Sequence, residues 1–302
     1  MTSPTRTDKA DQSRVARVAS RAVHIRRRYV DGPSGQIHIA EVGHGPTVLL
    51  LHQTPRSWDE FEEVMMILAD RLHLLAIDLP GMGSSDPHPD GPSIENYASA
   101  AAAVIEQTAG GPVVVCGHHT GGVVAVELAA RHQGLVSSLV LSSTPWIDEE
   151  ERARRARKVP IDSMELQLDG SHLLALWEQR APFYDGRTDQ LTRFVRDALR
   201  AADPAEGHLA VGRYAMEQAA PHLRCPVTIV EHAEDPFART HTRTLAERLD
   251  ADHVEVIAGG RVPLEATAAD SAAVLLAALE RHERSCRSFD DRSPSCQYVK
   301  NY

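Results

Sequence analysis

The chain alternates short, continuously apolar runs with amphipathic stretches. Thr47-Val48-Leu49-Leu50-Leu51-His52 is too short for a buried helix and predicts a strand covered on both faces. Residues 72–78, 113–116, 139–142, 227–231 and 254–257 have the same character. Between them, residues 58–70, 94–108 and 123–132 carry apolar positions at helical spacing, and residues 268–282 close the pattern with another helix. Strands and helices in alternation predict a mostly parallel sheet flanked by helices. Ahead of it, residues 24–30 and 36–42 flank the turn-rich Asp31-Gly32-Pro33-Ser34-Gly35, which predicts an antiparallel hairpin.

Residues 146–220 break the alternation. They are charged, rich in Arg and Glu and helical in period, with no convincing buried strand, so they predict a helical cap inserted into a core formed by residues 24–145 and 221–282. Residues 1–23, basic and without an apolar segment, read as a mobile arm rather than a secretory signal, and the polar residues 283–302 as a disordered tail.

Composition narrows the function classes. The 302 residues, 42% hydrophobic and 25% charged, suffice for one large core. A net charge of −10 leaves no electrostatic footprint for nucleic acid or anionic lipid, and no stretch has the ~18 consecutive apolar residues of a membrane span. Four cysteines are too few for a disulfide framework and fit a reducing cytoplasm. The expected partner is therefore a small molecule.

The candidate chemistry centres on Gly117-His118-His119-Thr120-Gly121-Gly122, between a strand and a helix. Glycines flanking one central position are what a nucleophile elbow requires, because that residue is held at a strained backbone with no room for neighbouring side chains. With Leu51-His52-Gln53-Thr54-Pro55, similar to a His-Gly-x-Pro oxyanion loop, and Asp78-Leu79-Pro80-Gly81-Met82-Gly83-Ser84-Ser85, similar to a D-x-x-G-x-G-x-S turn, the chain resembles the α/β-hydrolase superfamily over residues 24–282. The resemblance implies the α/β-hydrolase fold.

The chain departs from that family at two positions of the triad. His119 stands at the elbow, where the family has Ser, Asp or Cys. Asp235 matches the acid, but in Gly259-Gly260-Arg261-Val262-Pro263 it is Arg261 that occupies the place of the triad histidine. His119, Asp235 and Arg261 are the expected catalytic group, and they are expected to converge. Thr54, Thr120 and Gln53 are candidates for the oxyanion site or for substrate binding, Thr120 and either Gln53 or Thr54 through main-chain N–H groups, and His118 and Trp146 are candidates for substrate contact. Trp177, Phe183, Tyr184 and Tyr214 are further candidates to line the cap. A metal reading of His52, His118, His119 and His232 lacks any C-x-x-C or H-x-x-x-H spacing, and no cofactor is expected.

Imidazole does not form the lasting intermediates of Ser, Asp or Cys, so the favoured expectation is a non-hydrolytic enzyme: by resemblance to some relatives, a cofactor-independent oxygenase acting with molecular oxygen on an electron-rich aromatic polyketide, His119 abstracting the proton. The alternatives are an ester, lactone or epoxide hydrolase using His119-activated water, and a ligand-binding pseudoenzyme.

Overall fold

The computed structural model describes residues 23–261 and 264–288, so most of the expected arm and the end of the expected tail lie outside the described residues. The chain opens with β1 (Arg26–Gly32) and β2 (Gly35–Gly43), paired antiparallel, then β3 (Thr47–Leu51). A 3-10 turn at Trp58–Phe61 leads into α1 (Glu62–Leu68), β4 (His73–Ile77), α2 (Ile94–Thr108), β5 (Val113–His118), α3 (Thr120–Arg131) and β6 (Val136–Ser142). Five helices follow before the next strand: α4 (Glu149–Arg155), α5 (Ser171–Arg180), α6 (Thr188–Arg200), α7 (Glu206–Arg213) and α8 (Met216–Ala219). β7 (Val227–His232), α9 (Thr242–Leu249), β8 (His253–Ile257) and α10 (Ala268–Ser288) complete the order. α10 continues past His282 into the segment read from the sequence as tail; Arg284 and Glu280, one turn apart, lie 3.9 Å from each other there.

Among the described residues one eight-stranded sheet runs in the order β1-β2-β4-β3-β5-β6-β7-β8, antiparallel only where β2 meets β1 and β4. This is the α/β architecture that the alternating pattern predicts. Successive residues of the apolar strands serve opposite faces. Leu49, Leu51, Val113, Val115, Leu139 and Leu141 pack with α2, α3 and α9; Val48, Leu50, Val114, Cys116 and Val140 pack with α1 and α10. In the inserted helices a small separate core forms around Leu176, Tyr184, Leu191 and Phe194. Among the described residues no helix is long and apolar enough to cross a membrane.

The inserted helices are tied to the sheet by buried charge. Arg56, fully buried, donates to Asp197 on α6 at 3.1 Å and to Glu265 at 2.6 Å, and lies 3.3 Å from Asp59 and 3.8 Å from Glu60. Glu60 in turn accepts both the main-chain N–H of Gln53, at 2.8 Å, and its side-chain amide, at 2.5 Å. Burial raises the Glu60 carboxyl to about 7 against the opposing pull of Arg56.

Candidate active site

β5 ends at His118 and α3 begins at Thr120, which leaves His119 alone at the turn with φ 46° and ψ −110°. An L residue holds that backbone only where its surroundings enforce it, at about 1–3 kcal/mol. Two glycines provide the enforcement. A Cβ on Gly117 would lie 2.3 Å from the carbonyl oxygen of Gly121, and one on Gly121 would lie 1.9 Å from that of Leu51. The chain can double back this closely only with both side chains missing. The helix therefore starts directly after His119, three residues earlier than its apolar pattern predicts, because Gly121 and Gly122 form part of its first turn. His119 N donates to Ser142 O at 3.0 Å, which pins the elbow to β6.

The imidazole thrust out by this turn meets Asp235, which follows β7: Nε2 lies 2.9 Å from Oδ2. Asp235 is 2% exposed, and its Oδ1 accepts from Phe237 N at 2.7 Å and Ala238 N at 3.3 Å. Burial pushes the carboxyl up, but the His119 imidazole, the Ser143 hydroxyl beside it and the Phe237 amide outweigh burial and hold it well below the usual carboxylate range. Nε2 of His119 therefore meets the Asp235 carboxylate at ion-pair distance, although without hydrogen-bond alignment, and Nδ1 is the ring nitrogen not in contact with the acid. His119 borders a cavity of about 760 Å³, within the range of small-molecule sites. Gln53, Thr54, Thr120 and Pro145, at the C-terminal ends of the strands, supply its floor, and α4, α7 and residues 158–161 supply its roof.

The comparisons with known proteins agree with this architecture. A family model described as the alpha/beta hydrolase fold matches residues 46–200. The chain belongs to the alpha/beta hydrolase family. It is 34% identical over 128 residues to a 2-(acetamidomethylene)succinate hydrolase of Mesorhizobium japonicum, a match covering 42% of this chain and 46% of that protein's length. It is 29% identical over 227 residues to a pimeloyl-[acyl-carrier protein] methyl ester esterase of Chromobacterium violaceum, covering 70% of this chain and 85% of the other. The structure of a thermophilic esterase from Thermogutta terrifontis superposes with a TM-score of 0.68 at 19% identity, covering 85% of this chain and 99% of that one, a likeness of fold.

Against that alpha/beta hydrolase frame, Arg261 does not join His119 and Asp235. It is half exposed, donates to Pro182 O at 3.1 Å, and lies 3.5 Å from Asp185 and 3.9 Å from Glu234. The reason is the pair Gly259 and Gly260, both left-handed at φ 81° and 75°. They lay the loop so tightly on His232 that a Cβ at Gly260 would lie 2.6 Å from its Nδ1, and residue 261 then faces the inserted helices. Val262 and Pro263 lie outside the described residues.

His118 and Trp146 do not border the cavity either. His118 is buried, its Nδ1 2.9 Å from Ser142 Oγ and its ring edge-on to His119 with centroids 4.5 Å apart, so it backs the ring rather than meeting a substrate. Trp146 packs in the core and donates from Nε1 to Asp148 at 3.0 Å. Trp177, Phe183 and Tyr184 pack within the inserted helices, and Tyr214 donates to Glu127 at 2.7 Å. Phe237, which no periodicity marks, is the aromatic ring on the cavity wall. The main-chain N–H of Gln53 is engaged by Glu60 and is not open to an oxyanion. Thr120 presents its N–H at the positive end of α3, and the Thr54 hydroxyl is buried with no hydrogen-bond partner among the described residues.

Sequence reasoning gave His232 only a place in a metal cluster, because at the end of β7 it reads as one more strand residue. It continues a buried chain: Nε2 lies 3.0 Å from Ser142 Oγ, and Nδ1 3.3 Å from Thr267 Oγ1. Burial pushes this imidazole down to about 4, against the pull of Asp235 and with the help of His119. Between pH ~6.5 and ~4 the unfolded chain takes up a proton that folded His232 refuses, so stability rises with pH across that window and falls on acidification, by on the order of 3 kcal/mol. His232→Gln should make the plot of urea midpoint against pH shallower there, the remaining slope coming from His52 and other histidines that burial also lowers; a wild-type slope in the variant would show that His232 contributes nothing to the acid sensitivity.

Proposed function

We propose that this protein is a hydrolase in which His119, oriented by Asp235, activates water directly against an ester, lactone or epoxide, with no covalent enzyme intermediate. The observation that carries this reading is the 2.9 Å contact between Nε2 of the elbow histidine and the buried Asp235 carboxylate. An imidazole at this position is long enough to reach the acid unaided, so the two residues make a base without a third member. Water held at Nδ1 gives its proton to the ring as its oxygen attacks the electrophilic carbon, and the same proton passes to the leaving oxygen. Charge developing on the substrate oxygen would be met by the N–H of Thr120 and the hydroxyl or N–H of Thr54.

The hydrolase names of the relatives described above support this reading over the oxygenase expectation. The test is rapid-quench intact-mass spectrometry during turnover of p-nitrophenyl acetate, a γ-lactone and styrene oxide, under air and under argon. One water should be added to substrate in both atmospheres while the protein mass stays constant. An acyl or alkyl adduct on the protein would overturn the water mechanism, and oxygen gained only in air would restore the oxygenase.

A further inference from the structure

In a chain of net charge −10, the roof of the cavity is cationic. Arg154, Arg155, Lys158, Arg180 and Arg213 border it, together with His208. The carboxylates that meet these groups are fewer. Arg154 and Arg155 share Glu151, at 2.5 and 2.6 Å. Arg180 and His208 share the buried Asp162, each at 2.7 Å, and Arg213 pairs with Glu206 at 3.1 Å. Five guanidinium or ammonium groups thus face three carboxylates. Two of the five are turned in from the solvent: the Arg180 side chain is 4% exposed and that of Arg155 26%.

The floor is different. Gln53, Thr54, Thr120, Pro145 and Phe237 are uncharged, so the cavity has a reacting end at His119 and a positive end beneath α4 and the segment that follows it. A cleft with walls of one sign focuses the field and concentrates counter-ions, whatever the net charge of the surface around it. Guanidinium forks that already share a carboxylate keep donors for a second oxyanion.

We propose that the cavity selects a substrate carrying an oxyanionic group, carboxylate or phosphate in type, seated against Arg155 and Lys158 while the scissile group lies over His119. The choice of scissile bond rests on the hydrolytic reading above; the charge selection does not.

The test therefore reads binding as well as turnover. Succinamate, 3-phosphonopropionamide and neutral succinamide are titrated into the full-length protein by calorimetry at low salt and at 0.5 M NaCl, and the hydrolysis of monomethyl succinate is compared with that of dimethyl succinate. At least one charged amide should bind ~10-fold or more tightly than succinamide, the stronger of the two identifying the oxyanion, and the preference should shrink in salt. Lys158→Glu, at an exposed position, should weaken that preference ~5-fold or more in Kd and KM, and Lys158→Arg should retain it. Equal binding of charged and neutral amides, or a preference untouched by Lys158→Glu, would overturn the proposal. Selective binding without any hydrolysis would uphold it and count against the water mechanism alone.

Discussion

His119→Ala should lower kcat/KM by ~10²- to 10⁴-fold, the scale on which general bases contribute, with the loss in kcat and the fold intact by circular dichroism. In the proposed mechanism the elbow aims its one side chain at the reacting atom, and Nδ1, the ring nitrogen not in contact with Asp235, takes the proton from water. His119→Ser should fail to restore activity. A serine there would need an imidazole able to take its proton; His118 is tied to Ser142, and His232 is turned into Ser142 and Thr267 and made a weak base by burial. Arg261, out at the surface and cationic, cannot take that part. Full activity in His119→Ala, measured on the best substrate of the ester, lactone and epoxide panel, would remove the residue from the chemistry.

Arg56→Met should destabilise the protein by about 3–5 kcal/mol, because removing one side of a buried ionic cluster leaves the other side uncompensated. Asp197, Glu60 and Glu265 all lose a partner, and Asp197 and Glu265 come from segments far apart in the chain. The urea midpoint should fall by ~1 M or more. Neutralising the partners as well, in Arg56→Met with Asp197→Asn and Glu265→Gln, should return part of the loss. An unshifted midpoint in the single variant would show that the cluster is not what fastens the inserted helices to the sheet.

The two residues differ in how well the sequence announces them. His119 and Asp235 are legible because a short-range pattern marks each: glycines around a strand-to-helix turn, and an acid just past a buried strand. The strands are legible for the same reason, since four to six apolar residues bounded by turn chemistry have few other fates. Arg56 carries no such mark. It follows a proline in a polar loop, and although Asp59 and Glu60 are close in sequence, the two partners that fasten the inserted helix and the last segment to it lie 141 and 209 residues away, a separation over which no periodicity speaks. Arg261 is misread for a related reason: its place in the order of motifs is right, but two successive left-handed glycines decide where the side chain goes, and motif order does not encode backbone handedness. The cationic roof shows in the sequence only as a helical segment rich in arginine, because facing a cavity and facing water leave the same composition.

The tight turn at residue 119 also separates what folding requires from what chemistry requires. Its shape is dictated by the missing side chains at Gly117 and Gly121 and by the bond to Ser142, none of which depends on the group that residue 119 carries. The elbow is in effect a socket: its backbone strain falls on any occupant bearing a Cβ, so exchanging that occupant leaves the scaffold nearly indifferent while replacing the reagent. A lineage could therefore pass from serine or aspartate to histidine at this point without passing through an unfolded intermediate, and the same indifference makes residue 119 the natural place to begin if the protein is to be given a new reaction.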